Sequence, residues 1–304
     1  MASPLKRGTS LSAAGSSNNN DSSNSGGPVP DEDGVMMYDY GWPIGVVYNP
    51  TVVAAYGLQY YDVYQKTGEV AARQNLINTA NWLLENAREH RGKEKGGDGS
   101  GRCYSLWEYG FRWRWYGGVE PPYASALAQA EGIIVLLLAR QLASSSSLSS
   151  IAAMQDRYLK EAKKAFGAFL VDYDDGGVAS DEGRDSTFLQ LLAKPGFQKT
   201  YVLNGHTNSL IHIWKYYQYT GDYRALIVFG KGINWLVRSD GNSLQKYCAS
   251  GDNRSYYDQM GNRAQASYHQ AHISQLGKLY EITGEPVLKE YRDRFAACTT
   301  GQGY

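Results

Sequence analysis

Cysteine is scarce in this chain: Cys103, Cys248 and Cys298 are the only thiols in 304 residues, and no CxxC pair occurs. An odd number of widely spaced thiols argues against a disulfide framework and against a zinc site, so buried or idle thiols are expected. An excess of one charge is also missing. Thirty basic residues stand against thirty acidic ones, which leaves no global field to draw the chain onto nucleic acid or an anionic membrane. Any acidic partner must be met by local cations. No uninterrupted apolar run approaches the ~18 residues of a membrane span; the longest, Ile133 to Ala139, is core helix length. The start, MASPLKRGTSLSAAGSSNNN, has no apolar run of signal-peptide kind. The expectation is a soluble chain with no membrane partner and an unspecified compartment.

What the chain does have is tyrosine. Twenty-five tyrosines and seven tryptophans accompany only seven phenylalanines, so most rings carry a polar handle. Such rings suit a wet, concave surface that stacks on sugar faces while bonding hydroxyls, although any single tyrosine also packs readily at a core margin. Residues 1 to about 34 are Ser, Asn, Gly and Asp with almost no large apolar residue, and are expected to be a disordered tail. One domain is expected from 35 to 297, followed by a short tail from 298 to 304.

Within that domain helical periodicity dominates and no strand alternation stands out. Helices are expected over Thr51 to Lys66, Val70 to Arg88, Ala124 to Leu142 and Met154 to Val171, the last two joined by a flexible SSSSLSS segment. A Thr-Gly-acid signature recurs at Thr67-Gly68-Glu69, Thr220-Gly221-Asp222 and Thr283-Gly284-Glu285. The glycine permits a left-handed helix stop, and the acid favours the positive end of the next helix. About four antiparallel helical hairpins follow, which close most naturally into an all-α toroid whose long loops form a cleft at one end.

Four segments, YNPTVVAAYGLQYYDVYQKTGE at 48 to 69, ASALAQAEGIIVLLLAR at 124 to 140, YVLNGHTNSL at 201 to 210 and SYHQAHISQLGKLYEITGE at 267 to 285, resemble in order and spacing the helical C-terminal domain of the D-glucuronyl C5-epimerases. The resemblance implies inversion at C5 of D-glucuronate within an anionic polysaccharide, with no cofactor and no metal. A homodimer remains an open alternative.

Epimerisation at C5 needs two proton-transfer groups facing each other across the sugar and a clamp for the charge on the carboxylate. The resemblance puts the tyrosines of that step at Tyr268, in the YHxxHIxQL motif, and at Tyr257 in Ser255-Tyr256-Tyr257-Asp258, where Tyr256 is the alternative. Arg254 and Arg263 flank the segment and are expected to supply positive charge that makes the phenol more acidic. His269 and His272 share the inner edge of the Tyr268 helix, as orienting groups rather than metal ligands. Asn204 matches a family position and is also expected to cap the helix that runs to Tyr219. His206 replaces an apolar family residue and is a candidate addition to the site.

The family's Glu-Glu-Tyr-Pro stretch before Tyr201 is missing; Leu191-Leu192-Ala193-Lys194-Pro195-Gly196 stands there. Glu182 or Asp181 substitutes if its loop folds back over the cleft, and Lys194 is a candidate to neutralise a carboxylate. The gap leaves two other readings open. One is a polysaccharide lyase, which shares the first step and then expels the C4 substituent. The other is a glycan-binding scaffold without turnover. The rings and arginines of Trp107, Tyr109, Arg112 and Arg114 are expected at the mouth of the cleft, stacking sugars and pairing with carboxylates.

Overall fold

The computed structural model describes residues 26–93, 101–143, 149–239, 244–248 and 254–299. Among the described residues are four antiparallel helix pairs: α1 (Pro50–Thr67) with α2 (Val70–Asn86), α3 (Ala126–Ala143) with α4 (Ser149–Phe166), α5 (Leu203–Thr220) with α6 (Tyr223–Val237), and α7 (Ala266–Thr283) with α8 (Pro286–Thr299).

Three of the pairs turn by one construction. Gly68, Gly221 and Gly284 adopt φ of 71°, 67° and 73°, and each donates its N–H to the carbonyl of a tyrosine four residues earlier. The preceding threonine donates to its own helix and accepts from the N–H of the acidic residue that follows the glycine. An L side chain at those glycines would strain the left-handed backbone, which is why the signature marks the turns.

The odd-numbered helices form an inner row in the order α1, α3, α5, α7, with their partners outside. They run in the same direction, because their starts are linked. Thr51 of α1 bonds Tyr109, which stacks on Tyr123 just before α3; Ala126 of α3 bonds Gln190, whose neighbour Leu189 bonds His206 in the first turn of α5; and Leu203 of α5 bonds Tyr257, which touches Tyr268 in the first turn of α7. The first turns of all four inner helices therefore sit at one end of the row. Helix α3 is buried from Ala126 to Ala139 and is the centre of the core. By length and composition alone it would cross a membrane, but most of it is covered by protein here.

Two expectations need correction. The fold is not all-α, because three small antiparallel sheets accompany the helices: β1 (Pro28–Pro30), β2 (Met36–Asp39) and β3 (Val46–Val47); β4 (Arg88–Lys93) and β5 (Gly101–Leu106); β6 (Ala179–Asp181) and β7 (Thr187–Leu189). Five of these seven strands have four residues or fewer, and β4, Arg-Glu-His-Arg-Gly-Lys, is polar throughout, so no alternating pattern declares itself. β1 falls inside the stretch expected to be tail, and residues 1–25 of that tail lie outside the described residues. So do 144–148 of the serine-rich linker and 300–304 of the C-terminal tail.

The second correction concerns closure. Among the described residues α7 makes no extensive contact with α1, so helix packing alone does not complete a ring. The β1–β3 sheet stands at that position. β2 packs on α1, and its Tyr38 adds to the upward shift of the pKa of Tyr268 on α7. Helix α4 also ends earlier than expected, at Phe166, and tightens into a 3-10 turn over Gly167–Phe169. A Cβ on Gly167 would come within 2.9 Å of Tyr104 of β5, so a close approach sets that boundary.

Glu131 is a buried carboxyl in this core. Its Oε1 accepts from Asn208 Nδ2 at 2.9 Å, while Oε2 has no partner. Burial raises its pKa to about 8, against the opposing pull of Lys215 and the Asn208 bond. Its folded pKa lies above the unfolded one, so its share of stability is complete in acid and is lost as the pH climbs through about 8. Glu131→Gln should therefore match the wild type near pH 5 and melt at a higher temperature than it near pH 9, as measured by thermal unfolding across that range.

Candidate functional site

The shared end of the inner row gathers four helix N-termini, an electropositive setting for a carboxylate. At α1 the cap is Asn49, whose Oδ1 accepts from the N–H groups of Thr51 and Val52 and whose Nδ2 donates to the Tyr40 hydroxyl at 2.5 Å. At α5 the N-cap is Val202, which corrects the expectation for Asn204. Asn204 sits in the first turn instead, nine-tenths buried, with its Oδ1 unpartnered.

The loop from Ser255 to Ala264 crosses over this end. Tyr256 and Arg263 bridge, Gly261 turns at a φ of 90°, and Tyr257 donates its N–H to the Asn262 carbonyl at 2.7 Å. The fully buried Asp258 organises the turn. Its carboxylate accepts from the N–H groups of Met260 and Asn262, from Asn262 Nδ2 and, at 2.5 Å, from the Tyr116 hydroxyl. The Tyr257 carbonyl accepts from the N–H of Leu203 at 3.0 Å, which ties the loop to α5.

A second tie runs to α7 through Ser255. Its N–H donates to His269 Nδ1 at 3.0 Å, and its hydroxyl lies 2.9 Å from His269 Nδ1 and 2.8 Å from His272 Nδ1. His269 Nδ1 accepts, so its Nε2 carries the proton and donates to the Phe295 carbonyl at 3.1 Å. His269 thus joins loop, α7 and α8. His272 is fully buried, its Nε2 has no partner, and burial holds its pKa down near 3, so the ring is neutral. Ser255→Ala should strand His272 Nδ1 and leave His269 Nδ1 only the backbone N–H of residue 255, lower stability by about 1–3 kcal/mol and loosen Tyr257. Thermal unfolding and turnover measured on one preparation should fall together.

These ties bring Tyr257 and Tyr268 into contact, with ring centroids 4.9 Å apart and planes tilted by 56°. Both are half-buried, and neither hydroxyl has a hydrogen-bond partner among the described residues. Their neighbours differ in this respect. The hydroxyls of Tyr40, Tyr109, Tyr116, Tyr201 and Tyr247 are bonded to Asn49, Thr51, Asp258, Glu182 and the Tyr201 carbonyl respectively.

The electrostatics correct the sequence expectation. Burial raises the pKa of Tyr268, and Tyr38 adds to the effect; burial raises Tyr257 well above the ordinary value, reinforced by Tyr268, Asp258 and Tyr109. The expected cations are engaged elsewhere. The Arg263 guanidinium lies 4.2 Å over the Tyr256 ring and donates to the Arg254 carbonyl, and Arg254 itself is exposed.

Three further expectations meet the packed interior, and a fourth residue, Lys194, is committed between loops. Trp107 is fully buried and donates its indole N–H to the Leu83 carbonyl, so it is core and not cleft. Tyr109 is buried, stacked on Tyr123 at 4.6 Å, with its hydroxyl 2.6 Å from Thr51 Oγ1. His206 is wedged between β7 and α6: Nδ1 accepts from the N–H of Leu189, Nε2 donates to the Gly232 carbonyl, and the ring stacks on Phe188. A residue with both nitrogens committed to backbone inside a core has nothing left for a ligand. Lys194 spends its ammonium on the Glu120 carbonyl at 2.6 Å, joining two loops. Arg112 and Arg114 are exposed as expected.

Glu182 lies at the β6–β7 turn and forms a carboxylate–phenol pair with Tyr201, whose hydroxyl donates at 3.0 Å; Ser180 donates to the same carboxylate, and Lys199 stands 3.9 Å away. Tyr201 is held at a φ of 53°. This pair bonds neither Tyr257 nor Tyr268. Asp181 is exposed, with its N–H donating to Asp172. Sequence reasoning missed Ser255, which carries no signal of its own. It also missed Tyr38, in β2, and Tyr40, one residue past it, whose rings lie 4.6 Å apart.

A family model described as the D-glucuronyl C5-epimerase C-terminus matches residues 102–297 of the chain. That span holds both unpartnered phenols and leaves α1, α2 and the β1–β3 sheet outside it. An uncharacterized protein of Methanocaldococcus jannaschii is 28% identical over 189 residues, 62% of this chain and 56% of that relative, so the chain spans little more than half of the relative's length.

Proposed function

The chain belongs to the D-glucuronyl C5-epimerase C-terminus family, and from that premise we propose that it is a carbohydrate-acting epimerase that inverts C5 of D-glucuronosyl residues in an anionic polysaccharide. The observation that carries the reading is the pair of touching phenols, Tyr257 and Tyr268, with unbonded hydroxyls at the positive ends of the inner helices. In the proposed step the Tyr268 oxygen takes the C5 proton, and the electron pair left on carbon passes into the adjoining carboxylate. That charge is met by the helix N-termini, with Asn204 in the first turn of α5 beside it. Return of a proton to the other face completes inversion, and Tyr257 is its proposed source. His269 and His272 act through Ser255 as positioning residues for the loop that carries Tyr257.

One geometric fact favours a second reading. A sugar sandwiched between two rings needs about 7 Å between them, two van der Waals contacts of ~3.5 Å, whereas these rings stand 4.9 Å apart. With the rings as they stand the sugar lies over both hydroxyls, a placement that suits elimination, in which one phenol removes H5 and its neighbour protonates the departing C4 oxygen. Inversion requires the two rings to part so that the hydroxyls reach opposite faces of the sugar. Incubation with glucuronate polymers in deuterated water separates the outcomes. C5 exchange by NMR without absorbance of an unsaturated uronate in the ultraviolet supports the epimerase, and absorbance supports the lyase. Binding without either leaves a glycan-binding scaffold and ends the epimerase reading.

A further inference from the structure

We infer that the turn between β2 and β3 adds a subsite for a neighbouring uronosyl unit of the polymer, with Trp42 as the stacking platform and Arg114 as the carboxylate partner. The inference rests on the polymeric-uronate reading above, and its stacking platform, Trp42, lies outside the span matched by the family model.

Trp42 is 92% exposed, the most extreme of the large apolar side chains. An indole left in water forgoes a burial worth a few kcal/mol, and here it is not at the end of a loose loop. Ile44 and Gly45 both donate their N–H groups to the Gly41 carbonyl, Tyr40 donates to the Gly45 carbonyl, and Gly41 donates to the Asp39 side chain. The turn is braced from outside as well, because Arg114 donates to the Trp42 carbonyl at 3.2 Å. A rigid exposed ring binds a flat partner with little entropy left to lose.

The next two residues of the turn, Pro43 and Ile44, line a cavity together with Phe111, Arg112 and Arg114. Its two cations are not equivalent. Arg112 is paired with Glu120 at 2.6 Å, whereas Arg114 has no carboxylate partner among the described residues, and its charge is uncompensated. An apolar floor, a free guanidinium and an open indole match the face and the carboxylate of one sugar acid. A neutral sugar would leave the charge unmet.

The cavity adjoins the reacting end. The Tyr40 ring, one residue past β2 in the segment that leads into the turn, lies 5.3 Å from Phe111 of the cavity wall, and its hydroxyl accepts from Asn49, the cap of α1. The cavity wall therefore reaches the end of the row where the helix N-termini lie.

Trp42→Ala and Arg114→Gln alter exposed side chains and should fold as the wild type does. Affinity electrophoresis in gels carrying alternating polymers of glucuronate and N-acetylglucosamine should show each variant binding about tenfold more weakly than the wild type. Dextran, the neutral control, should retard none of them. In the C5-exchange assay the same variants should raise KM with kcat nearly unchanged. Equal retardation of wild type and variants overturns the subsite, as does retardation of the wild type by dextran alone. The two readings fail separately. Trp42-dependent retardation without C5 exchange sinks the epimerase and keeps the subsite, and exchange with KM unmoved in both variants does the reverse.

Discussion

Tyr268→Phe is expected to remove C5 exchange, lowering kcat by about 10²–10⁴-fold while the melting temperature stays where it was. The two halves of that expectation have different causes. The hydroxyl has no hydrogen-bond partner among the described residues, so its loss strands no donor or acceptor, and the ring that packs against Tyr257 at 4.9 Å is kept. Catalysis, by contrast, uses the oxygen itself.

The same oxygen sets a pH dependence. A phenol with an ordinary pKa near 10 already needs roughly 4 kcal/mol to ionise at pH 7, and burial raises Tyr268 further. The base form is scarce at neutrality, so kcat/KM of the wild type should climb steadily with pH, its plateau lying above pH 10. A plateau near neutrality would mean that some other group removes the proton. Full activity in Tyr268→Phe would do the same by a shorter route, with circular dichroism and thermal unfolding confirming that the variant is folded.

The helical frame was legible because its turns depend on backbone conformation that few residues tolerate. Three Thr-Gly-acid signatures announced three left-handed stops, and all three glycines adopt them. The sheets were not legible, since strands of two or three residues cannot display a period and the six-residue β4, Arg-Glu-His-Arg-Gly-Lys, has no apolar residue to alternate. In the site, Tyr257 and Tyr268 were found as motif residues, and the structure puts them in contact. Their surroundings were not foreseeable. Whether Arg263 meets a phenolate or lies on the Tyr256 ring depends on the register of the bridge between Tyr256 and Arg263, a long-range fact that sequence spacing does not encode.

Histidines illustrate the same limit. His206, His269 and His272 look alike in sequence. One is locked between two backbone groups in a core, one pins a loop to two helices, and one keeps a buried nitrogen free. Burial and partners distinguish them, and both are properties of the assembled row of helices.

The aromatic and arginine loop carries the prediction with the largest effect on stability. Its alternation, Trp107, Tyr109 and Phe111 against Arg112 and Arg114, sorts by side: the three rings are buried and both arginines are exposed. Trp107→Ala should therefore behave as a core truncation, lowering stability by about 3–5 kcal/mol, a large fraction of the roughly 5–15 kcal/mol that holds a domain folded. The reasons are specific. The indole N–H donates to the Leu83 carbonyl of α2, and the Trp107 N–H is bonded by Gln129 of α3. The ring lies so close over α3 that a Cβ at Gly132 would come within 2.6 Å of it. Alanine leaves a void at that junction of α2, α3 and β5, and a carbonyl without its donor. Denaturant unfolding should show the loss directly, and whatever fraction stays folded should bind glucuronate polymer with the wild-type affinity. Were Trp107 instead a cleft residue stacking sugars, the midpoint would hold and binding would fail, the opposite pattern in the same two measurements.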